Sequence, residues 1–282
     1  MTHILALIDG SVYTHSVCDH AAWAARQYGG DIELLHVLST QKSGALPTDL
    51  SGAIGLGARS SLLDDLVEHD ARTAQLDKER GRAILDAAQQ RLESQGIGNV
   101  SLALRTGEIA DSLVKRAGDL IVMGKRGEGA DFEKLHLGSN LERVVRAVHR
   151  PVLIASRTFK PIQHAVFAFD DGVSARKALD SLVQSPLADR PRITVFSVAE
   201  AGSDLARGGI AAAARLIQAG YEAVAKERPG HAEKIIAEET ERDDADLLIM
   251  GAYGHSRIRS LIIGSTTTAL IRSCAIPLLL FR

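Results

Sequence analysis

DLIVMGKRG at 119–127 and DLLIMGAYG at 246–254 decide how this chain folds. Each starts with Asp, continues as an unbroken apolar run and ends in Gly-x-x-Gly. An apolar run of that length without alternation is the mark of a strand buried on both faces of a parallel sheet. The same order of elements follows each one: GSNLERVVRAVHRPVLIAS from 138 and GSTTTALIRSCAIPLLLFR from 264. Both open on a Gly-Ser pair, run on as a helix-like stretch and close on a Pro and a last apolar strand, PVLIA at 151–155 and PLLLF at 277–281.

Upstream the match continues. HILALIDG at 3–10 corresponds to HAVFAFDDG at 164–172, and DIELLHV at 31–37 to RITVFSV at 192–198. Third strands are expected at VSLALRTG, 100–107, and YEAVAKERPG, 221–230. A repeat of this length places one supersecondary set in each half. The halves are expected at 1–157 and 162–282, joined near SRTFKPIQ at 156–163. Asp9 and Asp170 are 161 positions apart but Gly124 and Gly251 only 127, so 34 extra residues lie early in the first half. They fall between about 38 and 95, where LSGAIGLGARSS precedes a charged stretch with Leu63, Leu66, Val67, Ala71, Ile84, Leu85, Ala88 and Leu92 at helical spacing. A long amphipathic helix is expected at about 61–94, packing on its own domain or extending an interface.

Strands alternating with helices argue for right-handed crossovers, hence two repeated five-stranded α/β domains with helices on both faces. In the flavodoxin-like order 3-2-1-4-5, strands one and four are neighbours across the switch point. Their carboxyl ends, carrying Asp and Gly-x-x-Gly, then converge on one crevice.

With a formal charge of −2, 45% hydrophobic and 24% charged residues, the composition is that of an ordinary globular protein. It supplies no general electrostatic case for nucleic acid or an anionic membrane. Cys18 and Cys274 are isolated and read as reduced, buried thiols. MTHILALI at 1–8 lacks the basic start and long apolar region of a signal peptide, and no run approaches the ~18 apolar residues of a membrane helix. A cytoplasmic protein is the expectation. His20 and His36 read as satisfied or exposed side chains. Asp64–Asp65 and Asp243–Asp244 read as solvated helix or turn residues, and neither a metal site nor a catalytic set is assigned.

In the second half Gly251-Ala-Tyr-Gly254 is followed by nine residues and then Gly264-Ser265-Thr266. Glycine lets backbone approach a phosphate, and Ser265 and Thr266 sit where a helix N-terminus favours an anion. The alternative is that the glycines serve a tight turn and Ser265 caps the helix. This spacing resembles the G-x2-G-x9-G-[S/T] motif of nucleotide-binding universal stress proteins, and IDGSVYTHSVCDHAAWAA at 8–25 is similar to that family's opening segment. The likeness covers nearly all of both halves apart from the insertion.

The resemblance implies an adenine-nucleotide α-hydrolase-like fold and a bound ATP, ADP or AMP, with Mg2+ as a candidate companion ion. It implies that the Asp after strand one contacts adenosine, that the end of strand two lines the adenine pocket and that the glycine loop holds ribose and phosphates. Carried across, these are Asp170, Val198, Gly251, Gly254, Gly264, Ser265 and Thr266. The first-half counterparts are Asp9, Val37, Gly124, Gly127, Gly138 and Ser139, with Asn140 in place of the second hydroxyl residue. The second loop, HSRIRSLII, adds His255 and Arg257 to the candidate set and also carries Arg259. The first loop, EGADFEKLHL, is one residue longer and carries Glu128, Asp131 and Glu133, with Lys125 and Arg126 as partial compensation. The second half is therefore expected to be the stronger site, although Asp171 stands where the family pattern has Gly.

The resemblance also implies that the two last strands pair between halves, the tandem copying a single-domain dimer. A further homodimer of the whole chain and an unidentified protein partner are expected. The leading reading is a nucleotide-binding regulatory or stress-protective protein. The alternatives are a slow ATP hydrolase or phosphotransferase, with Asp170 or Asp171 helping to hold a metal, and a structural module that binds no nucleotide. No G-x4-GK-[S/T], G-x-G-x-x-G or HExxH motif is present.

Overall fold

A computed structural model describes residues 2–39, 56–127, 139–252 and 264–282, the side chains of 56–65 and 139 excepted. The first half runs β1 (His3–Leu7), α1 (Thr14–Tyr28), β2 (Asp31–Leu38), α2 (Leu56–Ser94), β3 (Val100–Thr106), α3 (Ile109–Val114), β4 (Leu120–Gly124), α4 (Ser139–Ala147) and β5 (Val152–Ala155). The second half repeats it as β6 (His164–Ala168), α5 (Val173–Gln184), β7 (Arg192–Ser197), α6 (Asp204–Gln218), β8 (Ala223–Glu227), α7 (Ala232–Arg242), β9 (Leu247–Gly251), α8 (Ser265–Ser273) and β10 (Leu278–Phe281).

All ten strands form one sheet in the order β3-β2-β1-β4-β5-β10-β9-β6-β7-β8. Each half thus has the expected order 3-2-1-4-5, and every pairing within a half is parallel. The halves join through the antiparallel pair β5 and β10, with Leu278 opposite Ile154 and Leu280 opposite Val152. The apolar last strands therefore lie at the centre of the sheet, and β3 and β8 form its edges. Strand pairing across the junction removes two hydrophobic edges that would otherwise be open templates for association.

Successive side chains point to opposite faces and fill two cores. Ile4, Ala6 and Phe167 face α1, α2, α5 and α6, meeting Val17, Leu85, Leu179 and Leu216. Leu5, Leu7 and Val166 face α3, α4, α7 and α8, meeting Leu113, Val144, Ile236 and Leu270. Both cores draw residues from both halves.

The Asp that opens each central run sets the register of strand four against strand one. Asp119 Oδ2 accepts the His3 N–H at 2.8 Å, and Asp246 Oδ2 accepts the N–H groups of Gln163 and His164 at 3.0 and 3.1 Å. The return bonds run from the Asp119 and Asp246 N–H groups to the carbonyls of His3 and His164.

The expected long helix is α2. Gly81, Leu85, Ala88 and Leu92, at i, i+4, i+7 and i+11, are its buried stripe, whereas residues 67–80 are exposed all round. α2 packs on β2, β3 and α1. The fully exposed stretch 67–80 spans roughly 20 Å at 1.5 Å per residue.

Candidate functional site

The turns after strand one are built the same way in both halves. Asp9 Oδ1 accepts the Ser11 N–H at 3.0 Å, and Asp170 Oδ1 accepts the Gly172 N–H at 2.9 Å. The residue between must adopt the left-handed conformation. Gly10 does so with φ 77° and Asp171 with φ 58°. Asp tolerates this region better than most side chains, so the departure at Asp171 leaves the turn intact. Asp171 in turn accepts two hydrogen bonds from Arg176, at 2.8 and 2.7 Å.

The glycines ending strand four are required by packing. A Cβ on Gly124 would lie 2.7 Å from the Tyr13 Cβ, and one on Gly251 would lie 2.9 Å from the Ser174 Cβ. The start of the helix that follows strand one, α1 or α5, presses directly on these positions. A Cβ on Gly127 would lie 2.8 Å from Asp9 Oδ2, so the carboxylate after strand one sits against the glycine loop after strand four. This is the convergence that the strand order predicts.

A crevice of ≈ 220 Å³ opens here in the first half, bringing together Asp9, Val37, Gly124, Gly127 and Asn140 of the expected set. Its wall also holds Tyr13, Glu108 and Arg143, which the sequence reading did not single out. Glu108, just before α3, accepts a hydrogen bond from Arg143 of α4 at 2.9 Å. The signal available for Glu108 was its place next to Gly107, which matches Gly230 in the second half. Both glycines have strongly positive φ, 132° and 144°.

In the second half Gly264 is the N-cap of α8, so Ser265 is the first helical residue and not the cap. Thr267, one residue beyond the expected pair, is buried and donates its hydroxyl to the Ala252 carbonyl at 3.2 Å. That bond ties the start of α8 to the end of β9. Ser265 is exposed, Thr266 half-buried, and Val198 packs at the edge of the α7–α8 core. Gly138, Gly254, His255, Arg257, Arg259 and the acidic residues of the first loop lie outside the described residues, as does the Ser139 side chain.

Lys125 differs from expectation. It lines the first crevice, yet its ammonium donates to the Cys274 carbonyl and, at 3.2 Å, to the Ile276 carbonyl across the junction. Burial pulls its pKa down to about 8. His20 is also buried and held neutral by desolvation. Its Nδ1 donates to the Ser16 carbonyl at 2.7 Å, and its ring stacks edge-on against Phe159. His36 donates from Nδ1 to the Ile8 carbonyl at 2.7 Å. Burial pushes the Cys18 thiol up to about 12 and raises that of Cys274, consistent with inert thiols.

One expectation is overturned. Asp243 is not a solvated turn residue: its side chain is 10% exposed, accepting from Lys226 at 2.6 Å and from the Thr194 hydroxyl at 3.0 Å. Burial opposes its ionisation, but these two bonds outweigh it and hold the carboxyl below its ordinary range. His164 completes the cluster, at 2.9 Å from Thr194. His164 opens β6 and Asp243 follows α7 ahead of β9, and none of these residues lines the first-half crevice. Among the described residues no group of three or more His, Cys, Asp or Glu is placed to hold a metal ion, and no helix is long and apolar enough to cross a membrane.

The universal stress protein family model matches residues 1–156 and again 161–282. The chain belongs to the universal stress protein family. A universal stress protein from Synechocystis sp. is 38% identical over 288 residues, covering 100% of both chains. Another, from Methanocaldococcus jannaschii, is 28% identical over 157 residues, covering 54% of this chain and 80% of that one. The crystal structure of a universal stress protein from Archaeoglobus fulgidus superposes with a TM-score of 0.68 at 21% identity, covering 100% of this chain and 96% of that one. This universal stress protein therefore shares its fold with a solved relative over its whole length.

Proposed function

We infer that this universal stress protein binds an adenine nucleotide, ATP, ADP or AMP, as a ligand that sets a regulatory or stress-protective state. The observation that carries this reading is the first-half crevice. There Asp9, the end of β2 at Val37, the bare backbone at Gly124 and Gly127, and the first turn of α4 at Asn140 face one space. Such a crevice offers what a nucleoside phosphate needs: an apolar wall for the base, a carboxylate for ribose hydroxyls, and glycine backbone beside a helix N-terminus for phosphate. The second half repeats the turn at Asp170, the close-packed glycine at Gly251 and the helix start at Gly264 to Thr266. Its sequence adds His255 and Arg257, which favour it as the tighter site.

Mg2+ would enter with ATP as the counter-ion of its phosphates. We assign the units 1–157 and 162–282, a cytoplasmic setting, and a homodimer of the tandem chain as parts of the same proposal. A ligand that binds only the native state raises stability by mass action. Calorimetry and thermal shift with ATP, ADP and AMP, on the intact chain and on Gly264→Glu, test it. Binding by the intact chain that weakens in Gly264→Glu supports the reading; neither heat nor shift with any of the three overturns it.

A further inference from the structure

We propose that Arg143 is a phosphate-binding residue of the first crevice and that Glu108 competes with phosphate for it, an inference that rests on the nucleotide reading above. Asn140 and Arg143 are three apart on α4, a spacing that puts two side chains on one helix face, and both line the crevice. Helical side chains lean toward the N-terminus, so the Arg143 guanidinium is carried toward the first turn of α4, where Asn140 meets the crevice. Of the cations on the described wall, Lys125 is already turned to the Cys274 and Ile276 carbonyls. Arg143 is the one that α4 itself supplies.

Its partner comes from another element. Glu108 is the N-cap residue of α3, but its carboxylate makes no cap bond. It accepts instead from Arg143 Nη1 at 2.9 Å, and it too lines the crevice. The pair is open to water, with the Glu108 and Arg143 side chains 61% and 55% exposed. An ion pair so placed adds little to stability and costs little to open, which makes it a weak structural tie between α3 and α4.

A phosphate monoester carries more negative charge than a carboxylate and offers the planar guanidinium a bidentate acceptor. Phosphate at the start of α4 therefore takes Arg143 from Glu108, and the carboxylate sets the affinity by contesting the same guanidinium. The device belongs to the first half alone, since the repeat places His231 and Ala269 at the matching positions.

Calorimetry with AMP and adenosine tests this on full-length protein carrying Gly264→Glu, which restricts the readout to the first half. Arg143→Met is expected to weaken AMP binding about five- to twentyfold and to leave adenosine binding within about twofold. Glu108→Gln moves the other way: AMP binds about two- to fivefold more tightly, the worth of an exposed ion pair, and adenosine is unchanged. Arg143→Lys, which keeps the charge and loses the fork, recovers part of the loss. All three substitutions are at exposed side chains and should melt within about 2 °C of the parent, so lost fold does not imitate lost binding. Opposite signs are the signature, because a purely structural pair loses the same contact from either side. AMP binding that Arg143→Met leaves unchanged, or that Glu108→Gln weakens, overturns the proposal and leaves the nucleotide reading standing. Absence of AMP binding to the Gly264→Glu protein also overturns it, and the nucleotide reading falls with it only if the intact chain is silent as well.

Discussion

Replacing Gly124 or Gly251 by Ala separates two reasons for a glycine at the end of strand four, packing and ligand approach. An added Cβ would stand 2.7 Å from the Tyr13 Cβ, or 2.9 Å from the Ser174 Cβ and 3.2 Å from the Ala175 nitrogen. Carbon atoms pack favourably at about 3.5–4.0 Å, so the helix start must retreat by roughly 0.6–1.3 Å. Neither obstacle is the far end of a flexible side chain: both are anchored at the first turn of a helix packed on the sheet. Overpacking of this kind costs about 1–3 kcal/mol, and a chain of this size loses about 2–4 °C of Tm per kcal/mol. Each variant should therefore unfold roughly 2–12 °C lower, measured by calorimetric or circular-dichroism melting without nucleotide. Gly208→Ala is the internal control. It lies inside α6, where a Cβ would meet nothing closer than the Phe169 ring at 3.6 Å. Higher helix propensity should stabilise it by up to about 1 kcal/mol. Nucleotide-free Gly124→Ala and Gly251→Ala that melt within 1 °C of wild type would refute the packing argument.

Lys125→Met should change how stability depends on pH. The folded pKa of Lys125, about 8, is below the ordinary 10.5, so the unfolded chain binds more protons between those values and wild-type stability rises with pH across that window. Relative to Lys125→Met the rise is at most about 3 kcal/mol, since the carbonyl acceptors oppose the shift. Urea unfolding of both proteins from pH 7 to 10.5 measures it, and a flat difference contradicts the burial of this amine. Asp171→Val places a β-branched residue at φ 58° and should cost about 1–3 kcal/mol, whereas Asp171→Gly should melt close to wild type. Asp243→Ala should destabilise by about 2–3 kcal/mol at pH 7 by leaving Lys226 and Thr194 short of a partner. Because the Asp243 pKa is lowered, that difference should be present above the ordinary carboxylate value and vanish as the pH falls below 3.8. Acid titration of wild type and variant by circular dichroism checks it.

Most of the fold was legible because strands buried on both faces leave a continuous apolar signature, and DLIVMG and DLLIMG occur twice with the same neighbours. Even the edge strand β8, short and half-exposed, was found through its alignment with the first half. Contacts that join distant segments through single atoms were harder to read. Lys125 sits in a glycine-rich motif, where local pattern assigns it to phosphate, yet it bonds residues 149 and 151 positions away. Asp243 looks like one of a charged pair ending a helix, and only the pairing of β6, β7 and β8 carries His164, Thr194 and Lys226 to it. The acceptance of Asp171 at a glycine position follows from its backbone angle, which the residue name does not state.

Native mass spectrometry of the intact chain with excess ATP, ADP or AMP tests the central claim most directly, because it counts ligands per chain. The account predicts at least one retained nucleotide, with the bound fraction reduced in Gly264→Glu. Spectra showing only the bare chain with all three nucleotides, under conditions that preserve the folded charge states, would contradict it.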